Sequence, residues 1–387
     1  MTTLVDCLLR ICRSGSKQRR RVAAGFGAFA IAIGAAIGAA VLWQWGNPLP
    51  QGNSLRAIWA AGPNFAVVVG DVGTILHYDG ASWSLRKSGT GQDLRGVWGS
   101  APNDVFAVGG SRGTGGIILH FDGALWSEMV PQLRHPMRGV WGAAPNDIFA
   151  VGGAPPTPNE PNGAASVIMH YDGAAWSELP GIPATCYLNA VWGTGPNDVF
   201  AVGFDFVSFG AGVLHYDGTN WSSMTTGSSA LLRAVWGSGP NDVFAVGAGG
   251  TILHYDGTAW STMTSGTDAT LLAVWGGASD DVFAAAGEAG TLLHYDGETW
   301  SPVGTGTSAG LLGGCVFPGG GFVVGASGTI LRLDGTTWVD MRTGVRQIVR
   351  GIHGTAPNSV VAVCCSSEPD LAGSVILRYD GSTWSTT

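Results

Sequence analysis

The stretch VWGSGPNDVFAVGAGGTILHYDGTAWS, residues 235–261, alternates short apolar runs with turn residues. Its Pro-Asn-Asp and Asp-Gly segments favour tight turns, and the runs between them are long enough for strands but too short for helices. Together with the residues just before and after it, the stretch divides into four strands, a to d: Leu232 to Gly237, Asp242 to Gly247, Thr251 to Tyr255 and Ala259 to Met263. The short links between neighbouring strands predict an antiparallel meander.

Close copies of this pattern occur eight times in the chain. Each copy has an Asp-Gly turn, and in every copy a Trp stands three residues after the Gly. The Asp residues are Asp79, Asp122, Asp172, Asp217, Asp256, Asp296, Asp334 and Asp380, and the Trp residues are Trp83, Trp126, Trp176, Trp221, Trp260, Trp300, Trp338 and Trp384. The copies are 38 to 51 residues long and fill residues 55–387, and this period is typical of β-propeller blades.

The composition favours an all-β fold for these repeats. The chain has 63 Gly among 387 residues and only 12% charged residues, which argues against long helices. A lone four-stranded sheet with apolar residues on both faces cannot bury both, whereas copies packed face to face in a ring bury every sheet. The sequence therefore predicts an eight-bladed β-propeller with four antiparallel strands per blade, and seven blades are the alternative.

Two repeat segments carry a resemblance to known families. DVFAVGG at 104–110, followed by ILHFDGALWSEM at 118–129, resembles a kelch blade, while GTILHYDGASW at 73–83 is similar to bacterial Asp-box (BNR) and photosystem II assembly-factor propellers. The spacing departs from the Asp-box, which has one more residue between its Asp and Gly. The chain also departs from the kelch pattern, because the double Gly occurs in only some copies. The resemblance covers residues 55–387 and implies the fold rather than a function.

The N-terminal part of the chain differs from the repeats. Residues 1–21 are basic, residues 22–43 form 22 consecutive uncharged positions, and residues 44–54 link them to the first copy. As a helix, 22–43 would span roughly 33 Å, enough to cross a bilayer. The basic residues before it predict a cytoplasmic N-terminus and a single-pass membrane protein with the propeller outside. If 22–43 is instead a cleaved signal peptide, the propeller is secreted or periplasmic.

The charge of the repeat region restricts its partners. The chain has 19 Lys+Arg and 27 Asp+Glu; without the six basic residues and one Asp of residues 1–43, 13 and 26 remain, a net charge of about −13. Nucleic acid is therefore an unsuitable partner. The Cys residues of the exported part are Cys186, Cys315, Cys364 and Cys365, and their disulfide pairing is not readable from sequence.

The residues that recur in each copy are interpreted as structural. Six copies place a His before the Asp-Gly turn: His77, His120, His170, His215, His254 and His294. Equivalent His residues of adjacent blades would lie much too far apart to share a metal ion, so we expect hydrogen bonds within each blade and no metal or cofactor. The Asp residues at the a–b turns, Asp104, Asp147, Asp198, Asp242 and Asp281, are interpreted as turn caps, and the eight Trp as contacts with the neighbouring blade.

Five arginines stand one residue into strand a, the strand expected nearest the axis: Arg56, Arg95, Arg138, Arg233 and Arg350. They form a candidate anion site in the channel. The alternative is an ion pair between each Arg and a turn Asp of an adjacent blade. Because unpaired like charges at short range repel, the ion pairs are the favoured interpretation.

Loop lengths identify one face as the candidate binding face. Strands alternate in direction, so b–c and d–a loops share a face, and the insertions fall there, at 111–116, 154–166, 204–212 and 366–374. Variable loops on a rigid scaffold commonly bind partners. The candidate binding residues are Phe204, Phe206, Phe209, Tyr187, Glu160 and Arg112, and the expected partner is a protein or a glycan.

No constellation of catalytic residues stands out from the repeats. A sialidase-like enzyme needs an arginine cluster and a Tyr nucleophile, and Tyr187 alone among the seven Tyr lies outside the repeat position. A quinone-dependent dehydrogenase is suggested by the adjacent Cys364 and Cys365, but the Trp-docking motif of that family is absent. We therefore expect a non-enzymatic extracytoplasmic scaffold, with an exported dehydrogenase or glycosidase as the alternative.

Overall fold

The computed structural model describes residues 55–62, 65–79, 83–111, 113–131, 133–154, 165–182, 186–317, 320–325, 329–334, 336–340, 348–356, 359–365 and 375–386. These residues form 32 strands. The first four blades contain β1 to β16: Leu55–Gly62, Phe65–Gly70, Ile75–Tyr78, Trp83–Arg86; Leu94–Ala101, Asp104–Ser111, Gly115–Phe121, Trp126–Glu128; Met137–Ala144, Asp147–Ala154, Ala165–Tyr171, Trp176–Glu178; Cys186–Gly195, Asp198–Asp205, Gly210–Tyr216, Trp221–Ser223. The last four contain β17 to β32: Leu232–Gly239, Asp242–Gly247, Ile252–Tyr255, Trp260–Met263; Leu271–Ala278, Asp281–Ala286, Leu292–Tyr295, Trp300–Val303; Leu311–Phe317, Gly320–Gly325, Ile330–Asp334, Thr337–Asp340; Ile348–Ala356, Ser359–Cys365, Val375–Tyr379, Trp384–Thr386.

The strands pair as eight separate four-stranded sheets. In each sheet the strands follow one another in chain order, and every pairing is antiparallel, as in β17-β18-β19-β20. The sheets are the eight blades, so the eight-bladed prediction is confirmed and the seven-bladed alternative is wrong. Two single 3-10 turns, Asp71–Gly73 and Ala248–Gly250, connect strands b and c of the first and fifth blades.

The blades close into a ring. Each strand a contacts strand a of the next blade, from β1 with β5 through to β25 with β29, and β29 in turn contacts β1. The closing interface is apolar: Val68 and Leu76 of the first blade share one buried cluster with Val363 and Ile376 of the eighth. Every blade is built from consecutive strands, so side-chain packing rather than strand exchange closes the ring.

Each blade interface has its own hydrophobic core. The described residues contain eight buried clusters, and each cluster combines residues of two neighbouring blades. Phe200 on strand b, for example, is fully buried and contacts the rings of Tyr255 and Trp260 in the next blade, with centroids 5.5 and 6.0 Å away. Equivalent contacts are made by Trp176, Trp221, Trp300, Trp338 and Trp384, so for these residues the predicted packing of the repeated Trp against the neighbouring blade is confirmed.

The repeated His residues form hydrogen bonds within their blades, as expected, in five of the six copies. Nε2 of each lies 2.5 to 2.9 Å from a carboxylate oxygen of the a–b turn Asp, in the pairs His120–Asp104, His170–Asp147, His215–Asp198, His254–Asp242 and His294–Asp281. These Asp residues, interpreted above as turn caps, also contact the turn: their second oxygen accepts a hydrogen bond from a hydroxyl group where the turn supplies one, as from Thr194 to Asp198 at 2.5 Å. The carboxylates therefore tie strand c to the a–b turn.

The Asp-Gly turns have the expected geometry. Asp256 Oδ1 accepts the backbone N–H groups of Thr258 and Ala259, and Gly257 has a φ of +90°, which glycine adopts without strain. These backbone hydrogen bonds lower the pKa of the exposed Asp256 carboxyl below its ordinary value. The same arrangement recurs at Asp122, Asp172, Asp217, Asp296 and Asp380.

The predicted anchor or signal segment, residues 22–43, and the segments 1–21 and 44–54 lie outside the described residues. Within the described part of the chain, no helix is long and apolar enough to span a bilayer. Cys186 is buried. The side chains of Cys315, Cys364 and Cys365 lie outside the described part, so the described residues do not test the disulfide pairing.

Candidate functional site

One residue near the start of strand a lies at a β-bulge in all eight blades. In each pairing of strands a and b the register shifts at this residue, for instance between Leu232 and Ala234, on either side of Arg233. A bulge leaves one residue unpaired and redirects its side chain. In chain order the bulged residues are Arg56, Arg95, Arg138, Asn189, Arg233, Leu272, Leu312 and Arg350.

Seven of these eight side chains line one cavity of about 310 Å³, and its lining contains no other residue within the described chain. Because strands a are innermost, the cavity lies at the channel. Arg56 contacts Asp71 at the b–c turn of its own blade, so the cavity opens on the face that carries the b–c and d–a loops. The sequence-predicted arginines Arg56, Arg95, Arg138 and Arg233 are thus brought together; the side chain of Arg350 lies outside the described part.

Two of the four arginines have carboxylate neighbours. Arg56 donates from Nε to Asp71 Oδ1 at 2.6 Å and from an Nη to Asp71 Oδ2 at 3.0 Å, a bidentate pair. An Nη of Arg95 lies 3.5 Å from Asp93, which precedes the strand. Neither carboxylate belongs to an a–b turn, whose Asp residues bind His instead. The predicted ion pairs with turn Asp of adjacent blades are therefore wrong for these arginines, because the a–b turns lie on the opposite face.

The other two arginines have no carboxylate partner among the described residues. Arg138 is half-buried, its Nε has no hydrogen-bond partner within the described chain, and its guanidinium lies 4.4 Å from the ring centroid of Tyr187 in the next blade. Burial lowers the pKa of Arg138 below its ordinary value; Tyr187 opposes this shift, and the positive charges of Arg95 and Arg233 add to it. Arg233 is exposed. The cavity therefore holds excess positive charge on a body whose net charge is about −13.

The predicted aromatic loop of blade 4 divides into two parts. Phe204 and Phe206 are half-buried and contact each other edge to face, with centroids 5.1 Å apart. Phe209 is 71% exposed, has a φ of +49° and lines a second cavity of about 480 Å³ beside the outer strand of the same blade. Tyr187 pairs with Phe204 across the sheet and lies under Arg138, so it connects this loop to the arginine-lined cavity.

Two candidate binding residues, Arg112 and Glu160, lie outside the described residues, as do most of the insertions 154–166 and 366–374. Three residues of the cavity were missed by sequence reasoning: Asn189, Leu272 and Leu312. Their signal was positional, since they occupy the same place in their copies as the arginines do in theirs. Because the residue type changes from Arg to Asn or Leu, the common position is hard to recognise in the sequence.

No family model matches the chain, and no curated protein matches it. Many solved structures do. The computationally designed Ika8 protein has a TM-score of 0.62 at 15% identity, over 87% of this chain and 96% of that one. Sqt1 of Saccharomyces cerevisiae has a TM-score of 0.61 at 10% identity, over 87% and 96%. YCF48 bound to D1 peptide has a TM-score of 0.52 at 16% identity, over 86% and 94%. At these identities the likeness establishes the β-propeller fold alone.

Proposed function

We propose that this protein is a non-enzymatic, extracytoplasmic scaffold, anchored through residues 22–43, whose arginine-lined cavity takes an anionic group of a protein partner. The observation that carries the proposal is that Arg138 and Arg233 line the cavity without a carboxylate partner among the described residues. Guanidinium groups that share a cavity without counter-ions repel each other, and a bound carboxylate removes that cost. One propeller of similar fold, YCF48, has been solved with a bound peptide.

The location of the cavity suits a binding role. It opens on the face with the variable loops, so a partner that places an acidic group against the arginines also meets loops from several blades. The walls of the cavity supply cationic, amide and aliphatic groups but no carboxylate pair placed for acid–base catalysis. The exported-enzyme alternative therefore rests on no described residue of this site, and it stays a prediction.

A labelled acidic peptide tests the proposal. Fluorescence anisotropy of dye-labelled hexaglutamate, titrated with the full-length protein at low ionic strength, is expected to show saturable binding that hexaglutamine lacks. Removal of one charge-assisted hydrogen-bond donor should weaken binding about tenfold, so Arg138→Gln and Arg233→Gln are each expected to raise Kd by that factor.

The control keeps the same change of charge on the same face. Arg134 is exposed in a d–a loop and does not line the cavity, so Arg134→Gln should leave Kd within about twofold of the parent. An equal rise in Kd for all three substitutions would mean that the peptide binds through the overall charge of the protein. The proposed binding of an anionic group in the cavity would then be wrong.

A further inference from the structure

The ring of bulged residues is polar on one side and apolar on the other. In blades 1 to 5 its members are Arg56, Arg95, Arg138, Asn189 and Arg233; in blades 6 and 7 they are Leu272 and Leu312. The two leucines come from adjacent blades, are half-buried and line the same cavity as the arginines. The apolar arc is therefore continuous and directly follows Arg233.

The two leucines are not explained by the packing of the blades. The blade interfaces are built from other positions of strand a, such as Leu271 and Val274, which belong to the buried cluster between blades 5 and 6. Leu272 and Leu312 belong to none of the buried clusters of the described residues. Covering solvent-accessible apolar side chains with a ligand contributes favourably to the free energy of binding.

From this arrangement we infer that the ligand group is a carboxylate bonded next to an apolar group, with the charge at Arg138 and Arg233 and the carbon part against Leu272 and Leu312. The inference rests on the proposed function, which it makes more specific. A cavity of about 310 Å³ is at the small end of ligand pockets, so it holds the acid and a short apolar group rather than a whole chain. A free aliphatic acid and the carboxyl end of a peptide with an apolar last residue share this chemistry.

A series of short carboxylates separates the two contributions. The apparent Kd of acetate, butyrate and hexanoate is measured from the rise in unfolding temperature of the full-length protein with ligand concentration. Each methylene that the leucines cover should tighten binding about fourfold, so hexanoate, with four more methylenes, is expected to bind on the order of a hundredfold more tightly than acetate. In Leu272→Asn/Leu312→Asn, which copies the residue found at Asn189, the three acids should bind equally and acetate should bind as in the parent.

The control and the peptide arm complete the test. Leu125→Asn, at an exposed turn on the other face, should retain the full chain-length dependence.

Gly-Gly-Leu with a free carboxylate should bind and its C-terminal amide should not. Whichever of hexanoate and Gly-Gly-Leu binds more tightly identifies the source of the ligand. If acetate and hexanoate bind equally and Arg138→Gln abolishes both, the anion site stands and this inference fails. If no carboxylate binds, the proposed function fails as well.

Discussion

At the scale of single residues, His77 differs from the other repeated histidines in its partner. It is 3% exposed, and its Nε2 accepts a hydrogen bond of 2.9 Å from Trp126 Nε1 in the next blade. The ring also meets Phe121 edge to face at 4.4 Å. Burial, with a smaller contribution from Arg86, lowers the pKa of His77 from 6.5 to about 4. The neutral imidazole is therefore part of the interface between the first two blades.

This environment predicts acid sensitivity. Between pH 6.5 and 4 the unfolded chain takes up a proton at His77 that the folded chain does not, so stability from this residue is complete above pH 6.5 and declines as pH falls to about 4. The shift corresponds to about 3 kcal/mol. His77→Gln removes the titrating group; it should be less stable than the parent at pH 7, and the difference in the free energy of unfolding should shrink by about that amount at pH 4, as measured by urea denaturation.

The other histidines are present in both proteins, so any contribution from them cancels in this comparison. Leu125→Asn is the control: it changes an exposed side chain without a titrating group, so the difference in the free energy of unfolding between it and the parent should stay constant over the same pH range. A constant difference between His77→Gln and the parent from pH 7 to pH 4 would rule out the assigned role of His77.

Residue partners were the part of the site that sequence reasoning predicted least well. The positions of the arginines on strand a and the within-blade bonds of most His followed from counting along the repeat. The partner of each Asp could not be predicted in this way. A repeat shows which residues belong to the same blade, but it does not show on which face of the ring their side chains lie. His77 carried a signal that was available: its copy has Phe65 where the copies with a His–Asp pair have Asp.

At the scale of strands, neighbouring strands a are fitted together by a Trp and a Gly. The ring of the strand-a Trp lies over a Gly of strand a in the next blade, as Trp98 does over Gly142. A Cβ built on Gly142 would lie 2.5 to 2.7 Å from three atoms of that ring, closer than packed atoms approach. The first blade is the exception: it has Ala60 in place of this Gly. The blade that precedes it in the ring, the eighth, has His353 in place of the Trp.

The close contact makes Gly142→Ala a test of blade packing. The added methyl must displace Trp98 from the interface, so we expect a loss of about 1 to 3 kcal/mol in the free energy of unfolding, measured by denaturant titration. Gly239→Ala is the matched control: nothing lies within 4 Å of its Cβ position, and Ala101, Ala144 and Ala278 occupy the equivalent place in other blades. If both substitutions are tolerated equally, the Trp–Gly contact does not determine the spacing of the blades.

Strand boundaries were predicted well and strand irregularities were not. In the fifth copy the expected and observed strands differ by at most two residues at either end, since Pro, Asn, Asp and Gly mark the turns. The bulge near the start of strand a cannot be recognised from a single copy, because Arg, Asn or Leu occupies the bulged position in different copies. It becomes visible only when the register of paired strands is compared, and it is the feature that directs these side chains to the channel.

At the scale of the whole molecule, closure depends on the contact between the first and last blades. Val68 and Leu76 of the first blade meet Val363 and Ile376 of the eighth in one buried cluster. Because each blade is made from consecutive strands, no shared sheet holds the ends together. Every interface must therefore be complete for the ring to bury both faces of all its sheets.

Deletion of the eighth copy, residues 348–387, tests this dependence. The deletion would uncover Phe322 and Val324 of the seventh blade, which pack against the eighth, and Val68 of the first. A ring of the seven remaining blades would require a larger angle between neighbouring blades at every interface. The Trp–Gly contacts leave no space for that change. We expect aggregation and loss of a cooperative thermal transition, measured by size-exclusion chromatography and calorimetry. A monomer that melts cooperatively near the parent temperature would instead mean that the interfaces adapt, and that the number of blades is set by the number of copies rather than by the angle each pair prefers.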